Sequence, residues 1–162
     1  MRKAVAAAEG HSERSRRSLY LCHIASAHAS LGQLEVGLGL LDEAIQTAEI
    51  TSEKFFEPEL HRLRGKILLS LGKKGKGEAV LQHSLTIARQ QQARWWELRA
   101  ANDLAKHWYD EGRYVEAHSL LQPIYSWFVE GFDTPDLKDA KALLDKLRDL
   151  SDTQIKRPGG NS

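Results

Sequence analysis

Histidine and cysteine side chains are the first places to look for metal binding or nucleophilic catalysis in this sequence. The chain has one cysteine, Cys22, and seven histidines: His11, His23, His28, His61, His83, His107 and His118. No HExxH sequence and no zinc-type Cys/His spacing occurs among them, and Cys22 has no neighbouring base in the sequence. We therefore expect structural or surface roles for these residues, with no metal ion, no cofactor and no enzymatic activity.

Basic residues that recur at helical spacing are a stronger candidate for a binding site. Two segments, beginning at Phe55 and Trp95, each carry cations on the same face of a predicted helix. The predicted partner-binding groove comprises six residues: Arg62, Lys66, Arg99, Asn102, Lys106 and Tyr109. Such a groove suits an acidic peptide segment or a carboxylate, because Arg and Lys form charge-assisted hydrogen bonds with carboxylates. The alternative is a solvated charged face, balanced by the carboxylates of Glu59, Asp103 and Asp110.

The four tryptophans are a second set of side chains that could bind a ligand, in this case by stacking. Trp95, Trp96, Trp108 and Trp127 lie at helical spacings, which favours core positions over a stacking platform. Trp95 and Trp96 are adjacent, so their side chains point about 100° apart on a helix, and one of them has room to be exposed. The Gly/Lys stretch at 72–77 lacks the phosphate-loop pattern and predicts a solvated turn.

Composition and charge narrow the kinds of partner that the chain can have. Hydrophobic residues make up 41% of the 162 residues and charged residues 28%, which is typical of a globular domain. The 23 basic and 22 acidic residues give a net charge of +1, so neither nucleic acid nor a membrane is a predicted partner. No apolar run reaches the roughly 20 residues that span a bilayer, and no signal-peptide pattern follows Met1. We expect a soluble protein of the cytoplasm.

The elements that must position these side chains follow a repeat with a period of 40 residues. Each unit contains two amphipathic helical patterns separated by a glycine, which tolerates the left-handed conformation that ends a helix. These separating glycines are Gly32, Gly72 and Gly112. A small residue recurs in the second helix of each unit and predicts close approach to its partner helix. These small residues are Gly37, Gly77 and Ala117.

This organisation predicts an all-α fold, specifically a right-handed α-solenoid of three tetratricopeptide-like helix pairs with a C-terminal capping helix. The cap is predicted to begin at Thr134 and Pro135, which are a good N-cap and a good first helical residue. The period exceeds the roughly 34 residues of that repeat, so HEAT-like stacking stays open as an alternative. The predicted divisions are a frayed start or upstream-helix remnant at 1–11, the repeat domain at 12–150 and a disordered tail at 151–162.

Three stretches also carry a more particular resemblance. They read "PELHRLRGKILLSLG" (58–72), "ARWWELRAANDLAKHW" (93–108) and "SWFVEGFDTPDLKDAKALLDKL" (126–147). They resemble the C-terminal tetratricopeptide region of bacterial multidomain proteins, in which a class III adenylate/guanylate cyclase or another signalling or DNA-binding domain precedes a signal-transduction ATPase module. The resemblance implies a regulatory or sensory role, in a terminal fragment or a stand-alone remnant of such a protein. It carries no catalytic residue over to this chain.

Together these features predict a non-catalytic scaffold that binds a protein or an acidic peptide segment, as the regulatory part of a bacterial signalling ATPase or cyclase system. The alternative is a small-ligand sensor domain of a signalling ATPase, with a metabolite inside the superhelix. If repeat units that normally precede residue 12 are missing, the first helix pair exposes an apolar side. Self-association through residues 12–51 is therefore also expected.

Overall fold

The computed structural model describes residues 17–51 and 54–155, and for 151–155 only the backbone. Seven helices follow one another: α1, whose described part covers 17–30, then α2 (Leu34–Thr51), α3 (Glu57–Ser70), α4 (Lys74–Gln90), α5 (Arg94–Asp110), α6 (Tyr114–Ser126) and α7 (Pro135–Ile155). No strand occurs in these two ranges, in agreement with the predicted all-α class. The predicted start at 1–11 and residues 156–162 of the predicted tail lie outside them. Helix α7 runs to Ile155, past the predicted end of the repeat domain at residue 150.

Helices α1, α3 and α5 end in the same way, each on a glycine with a positive φ. These glycines are Gly32 (78°), Gly72 (74°) and Gly112 (78°). At the end of α3, the Gly72 amide donates to the Leu69 carbonyl and the Lys73 amide donates to the Leu68 carbonyl, both at 2.9 Å. This is a Schellman motif, which satisfies carbonyls that would otherwise lack a partner at the end of a helix. The motif favours glycine at its left-handed position, because glycine has no Cβ. The predicted helix ends are confirmed.

Glycines also allow neighbouring helices to approach closely. Gly65 and Gly77 face each other where α3 crosses α4, and a Cβ on Gly77 would lie only 3.0 Å from the Gly65 carbonyl oxygen. A Cβ on Gly37 would likewise lie 3.0 Å from the Ala25 carbonyl oxygen of α1. The predicted close approach at Gly37 and Gly77 is confirmed.

The apolar side chains form two neighbouring clusters that meet where α3 packs on α4. One cluster joins α1, α2 and α3 around Leu41 and Leu60, and the other joins α4 to α7 around Leu81 and Leu121. These four leucines are fully buried. Each such side chain contributes roughly 1.5–3 kcal/mol through removal of its apolar surface from water.

Each helix from α2 to α7 contacts the next helix in the chain, and α5 also contacts both α3 and α7. No other helix pair in this range makes comparable contact. Helices α3, α5 and α7 therefore lie side by side and present one common surface. The six residues that were predicted to face a partner belong to two of these helices, α3 and α5.

Candidate partner-binding groove

Arg62, the first residue of the predicted groove, is buried, with 5% of its surface exposed. Its guanidinium donates to both carboxylate oxygens of Glu59, at 2.7 Å from Nε to Oε2 and 2.8 Å from Nη2 to Oε1. It also donates to the carboxylate of Asp103 on α5. Burial by itself lowers the pKa of Arg62, but the hydrogen bonds to Glu59 and the charge of Asp103 outweigh burial and raise that pKa. Arg62 thus links α3 to α5 inside the protein.

Arg99 and Asn102 are also engaged with other parts of the chain. Arg99 Nη1 lies 2.9 Å from Glu59 Oε1, and its Nε lies 3.5 Å from Asp136 Oδ1. The Asn102 side-chain amide donates to the backbone carbonyl of Asp136 at 2.9 Å. Both residues therefore join α5 to the first turn of α7, and Arg99 completes the ion-pair network around Glu59.

Lys66 and Lys106 are exposed, and each pairs with a carboxylate of α5. Lys66 Nζ lies 3.3 Å from Asp103 Oδ1, and Lys106 Nζ lies 2.6 Å from Asp110 Oδ1. The Lys106 ammonium also lies 5.8 Å from the centre of the Tyr109 ring, which is a cation–π contact. Glu59, Asp103 and Asp110, the carboxylates of the charged-face alternative, therefore all pair with predicted groove cations.

Three cavities follow one another along α1, α3, α5 and α7, and Lys66 lines all of them. Their volumes are ≈ 230 Å³ between α1 and α3, ≈ 340 Å³ between α3 and α5, and ≈ 480 Å³ where α7 joins α3 and α5. We call this continuous surface the inner groove. Its polar lining includes Ser26, Ser30, Lys66, Ser70, Lys74, Asn102, Asp103, Lys106, Asp110, Asp139 and Lys146. Tyr109 does not line these cavities.

Two lysines of the inner groove were absent from the predicted set. Lys74 stands at the start of α4, with its Nζ 2.9 Å from Glu111 Oε1. Lys146 lies on α7 and forms no ion pair with any described residue. Asp139, also on α7, lines the groove together with Lys146. Heptad-like spacing on α7 places these two residues on one face, but only the position of α5 identifies which face lines the groove.

The adjacent tryptophans differ in exposure, as predicted. Trp95 is 37% exposed, whereas Trp96 is half-buried, with its ring centre 5.8 Å from that of Phe56. Trp127 is 56% exposed and is covered on one side by the Arg94 guanidinium, 5.3 Å from its ring centre. The core position favoured for Trp127 is therefore wrong. The short loop after α6 holds its ring at the surface, where helical spacing carries no information about burial.

Cys22 is a buried thiol, as expected. It is 4% exposed, and burial together with the charge of Glu59 raises the pKa of the Cys22 thiol to about 11. A thiol with so high a pKa is protonated at neutral pH, and the thiolate is the nucleophilic form. Cys22 therefore serves as a small core residue next to Ala25.

The first two helices expose apolar side chains outside their common core. Tyr20 on α1 and Val36 and Ile50 on α2 are each at least half exposed. An exposed apolar surface on a terminal helix pair is a place where a further repeat or a second copy could pack. Self-association through residues 12–51 stays a prediction.

His61 contacts His83, with their ring centres 4.7 Å apart and their planes nearly perpendicular. Burial, and then unfavourable electrostatic interactions with His83 and Arg64, lower the pKa of His61 to about 4. The folded protein therefore disfavours the protonated form of this imidazole.

This environment predicts that the protein loses stability in mild acid. The pKa of histidine in an unfolded chain is about 6.5, so stability that is present above pH 6.5 falls as the pH drops towards 4. Because part of the ring faces solvent, the His61 contribution is expected to be about 1–2 kcal/mol. Urea unfolding at neutral pH and in mild acid measures how much unfolding free energy each protein loses on acidification. The variant His61→Gln should lose less than the wild type by this contribution. The exposed-site variant His23→Gln should keep it, and an equal acid loss in His61→Gln and the wild type would contradict the assignment.

Comparison with known proteins provides no identification: no protein-family model matches the chain, and no curated protein matches it. The resemblance to signalling repeat regions thus still depends on the quoted residues. Among the described residues, no helix combines the length and the hydrophobicity that crossing a membrane requires. What can be said of function therefore comes from the inner groove and from the pairing of its charges.

Proposed function

We propose that this chain is a non-catalytic scaffold that binds a segment of a partner protein in the inner groove. The observation that carries this proposal is the groove itself, which runs along α1, α3, α5 and α7 and holds exposed ammonium groups. A surface built from several successive helices offers a long, shallow site, which suits a peptide segment better than a compact molecule.

The proposed architecture is a right-handed tetratricopeptide-like solenoid of three helix pairs, with α7 as the cap. Equivalent burial at intervals of 40 residues supports it: Leu41, Leu81 and Leu121 are each fully buried. The three left-handed glycines at the ends of α1, α3 and α5 support it as well. In such a solenoid, the first helix of each pair lines the inner surface, which agrees with the helices that line the cavities.

The proposed ligand is an acidic segment, held by the exposed lysines of the groove. Because Arg62 and Arg99 neutralise Glu59 inside the protein, they contribute less to ligand binding than the lysines do. Lys66 shares Asp103 with Arg62, and Lys146 has no partner among the described residues, so both ammonium groups have capacity for a further carboxylate. A place in a bacterial signalling ATPase or cyclase system follows from the resemblance alone and is part of the proposal.

Charge reversal at the two lysines tests the choice of ligand. In an array of random-sequence peptides, the wild type is expected to select peptides enriched in Asp and Glu. The double variant Lys66→Glu/Lys146→Glu should weaken binding of a selected peptide by about tenfold or more, since about 1.4 kcal/mol corresponds to a factor of ten. Fluorescence anisotropy with the labelled peptide measures the affinity.

Lys141→Glu is the matched control for this experiment. Lys141 lies on α7, but nearly on the opposite side of the helix from Lys146, because five residues at 100° each make about 500°. Its ammonium pairs with Asp145 at 2.7 Å and lines none of the groove cavities. Equal affinity of the wild type and the double variant, or equal weakening by Lys141→Glu, would argue against binding in the inner groove.

A small-ligand sensor is the second candidate, and the cavity of ≈ 480 Å³ between α5 and α7 favours it. Small-molecule sites have volumes of roughly 300–1,000 Å³, but their linings are mostly apolar. Here six of the eight lining residues have charged or amide side chains, which favours the peptide. A thermal-shift screen with metabolites separates the two candidates, because a metabolite that binds only the folded state raises the unfolding midpoint.

A further inference from the structure

One group of side chains beside the inner groove has the composition of a metal site. His107 lies in the last turn of α5, Glu111 follows one turn later, and Glu78 comes from α4. One donor atom from each of these three residues lies within 4.8 Å of the other two. The His107 Nε2 atom lies 3.6 Å from Glu78 Oε2 and 3.8 Å from Glu111 Oε2. Two carboxylates and one imidazole thus converge on one point.

The strongest indication of a ligand in this group comes from the His107 ring. It is 8% exposed, and its Nε2 atom is buried without a hydrogen-bond partner. Buried polar atoms in folded proteins are almost always satisfied, so an orphaned imidazole nitrogen aimed at two carboxylates needs an explanation. A cation between the three groups would satisfy Nε2 and both facing oxygens at once.

The two carboxylates are held in place by neighbours that mainly contact their other oxygens. Glu78 Oε1 accepts from Trp108 Nε1 at 2.8 Å and from Arg113 Nη1 at 3.0 Å, while Arg113 lies 3.1 Å from Oε2. Glu111 Oε1 accepts from Lys74 at 2.9 Å. Such outer contacts orient the ligands of metal sites.

Both carboxylates also pair with cations: Glu78 Oε1 lies 3.0 Å from Arg113 Nη1, and Glu111 Oε1 lies 2.9 Å from Lys74 Nζ. Such pairing favours the ionised form of a carboxyl group, which is the form that binds metal.

We propose that Glu78, His107 and Glu111 bind a divalent transition-metal ion, Zn²⁺ in the first instance. In a tetrahedral zinc site, bonds of about 2.0–2.2 Å place ligand atoms roughly 3.4 Å apart. The distances from His107 Nε2 to the two carboxylate oxygens exceed this value by a few tenths of an ångström, and all three donor atoms lie within 4.8 Å of one another. Small shifts of the three side chains would therefore be needed to close the site around an ion. Mg²⁺ and Ca²⁺ are disfavoured, because they prefer six or more oxygen ligands and no imidazole.

The ion can reach this site from the inner groove. The cavity of ≈ 340 Å³ is lined by His107 and Glu111 as well as by Lys74. Three protein ligands would leave one tetrahedral position for a water molecule. Since Glu78 belongs to α4 and His107 to α5, a bound ion would clamp two consecutive helices together. This clamp does not depend on what occupies the groove.

Titration of the full chain with zinc chloride by isothermal calorimetry tests the site. We expect saturable binding of one ion, and Glu111→Gln should weaken the affinity by about tenfold or more because it removes a ligand. Glu111 is an exposed residue that directly follows α5, so this variant should fold. His23→Gln, which removes an exposed histidine, should bind as the wild type does. Zinc should also raise the unfolding temperature of the wild type, and it should raise that of Glu111→Gln less.

Two results would overturn the proposal. One is the absence of saturable binding by the wild type up to about 100 μM free zinc, a concentration at which a site of micromolar affinity would be filled. The other is equal affinity of the wild type, Glu111→Gln and His107→Gln, since the ion would then be held by surface histidines. Circular dichroism shows whether each variant is folded. If His107→Gln is unfolded, the comparison of Glu111→Gln with the wild type tests the proposal by itself.

Discussion

Replacing Arg62 with alanine is expected to lower the free energy of unfolding by about 3–5 kcal/mol. The guanidinium neutralises Glu59, which is 7% exposed, and it also pairs with Asp103 on the neighbouring helix. Without Arg62, two carboxylates with little access to water share the remaining cations, Arg99 and Lys66. A buried charge that loses its partner costs far more than an exposed one. Urea unfolding followed by circular dichroism measures the change.

Arg64 provides the matched control, two residues further along the same helix. Its Nε also pairs with a carboxylate of another helix, Asp42, at 2.7 Å, but both side chains are substantially exposed. Arg64→Ala should therefore cost about 0–1 kcal/mol. Similar losses in the two variants would show that burial of the Arg62 ion pairs contributes little to the free energy of unfolding. If only Arg62→Ala causes a large loss of stability, weaker partner binding by an Arg62 variant would be explained by impaired folding. It would not require a direct contact between Arg62 and the partner.

Gly65→Ala is expected to destabilise the protein by about 1–3 kcal/mol, although alanine is the better helix former. The new Cβ would lie 2.8 Å from Leu81 Cγ and 3.1 Å from the backbone oxygen of Gly77. Neither atom is the flexible end of a side chain, so α3 and α4 would have to move apart where their contact is most extensive. Thermal or urea unfolding measures the loss.

The opposite sign is expected for Gly39→Ala, a substitution of the same chemistry in the interior of α2. No atom lies within 4 Å of the added Cβ, so the gain in helix propensity should appear as about 0.5–1 kcal/mol of extra stability. The pair of variants separates the effect of helix crossing from the effect of propensity. A gain of stability in Gly65→Ala would contradict the tight crossing of α3 and α4, and a loss in Gly39→Ala would contradict the open space beside Gly39.

Local sequence patterns are enough to predict the helices and their ends. Helix α2 follows the glycine stop at Gly32, and its buried residues include Leu41 and Ala44, as an amphipathic pattern after a glycine predicts. The close approach at Gly77 is predictable for a similar reason, since a glycine inside a helix is costly unless the space is needed. These features depend on residues only a few positions apart.

The candidate site is less predictable, because it depends on contacts between helices. Arg62 and Lys66 are four residues apart and look equivalent on a helical wheel, yet one is buried and the other is exposed. The difference arises from Glu59, one turn earlier, and from Asp103 on α5, which the spacing within α3 does not encode.

The proposed metal ligands were missed for the same reason. His107 and Glu111 have the i and i+4 spacing that places two side chains on one helix face, and this signal was present in the sequence. The third ligand, Glu78, belongs to another helix, so no motif with regular spacing contains all three.

The contacts among α2 to α7 join only helices that are one or two places apart in the chain. A chain with such local contacts has few long loops to close before it gains contact energy, so it should fold rapidly for its length. The first and last helices of this range are also energetically separate, because no contact joins helices more than two places apart. Local unfolding that begins at α1 can therefore stop at the α3–α4 crossing while the later helices stay folded. The same crossing would limit local unfolding that begins at α7.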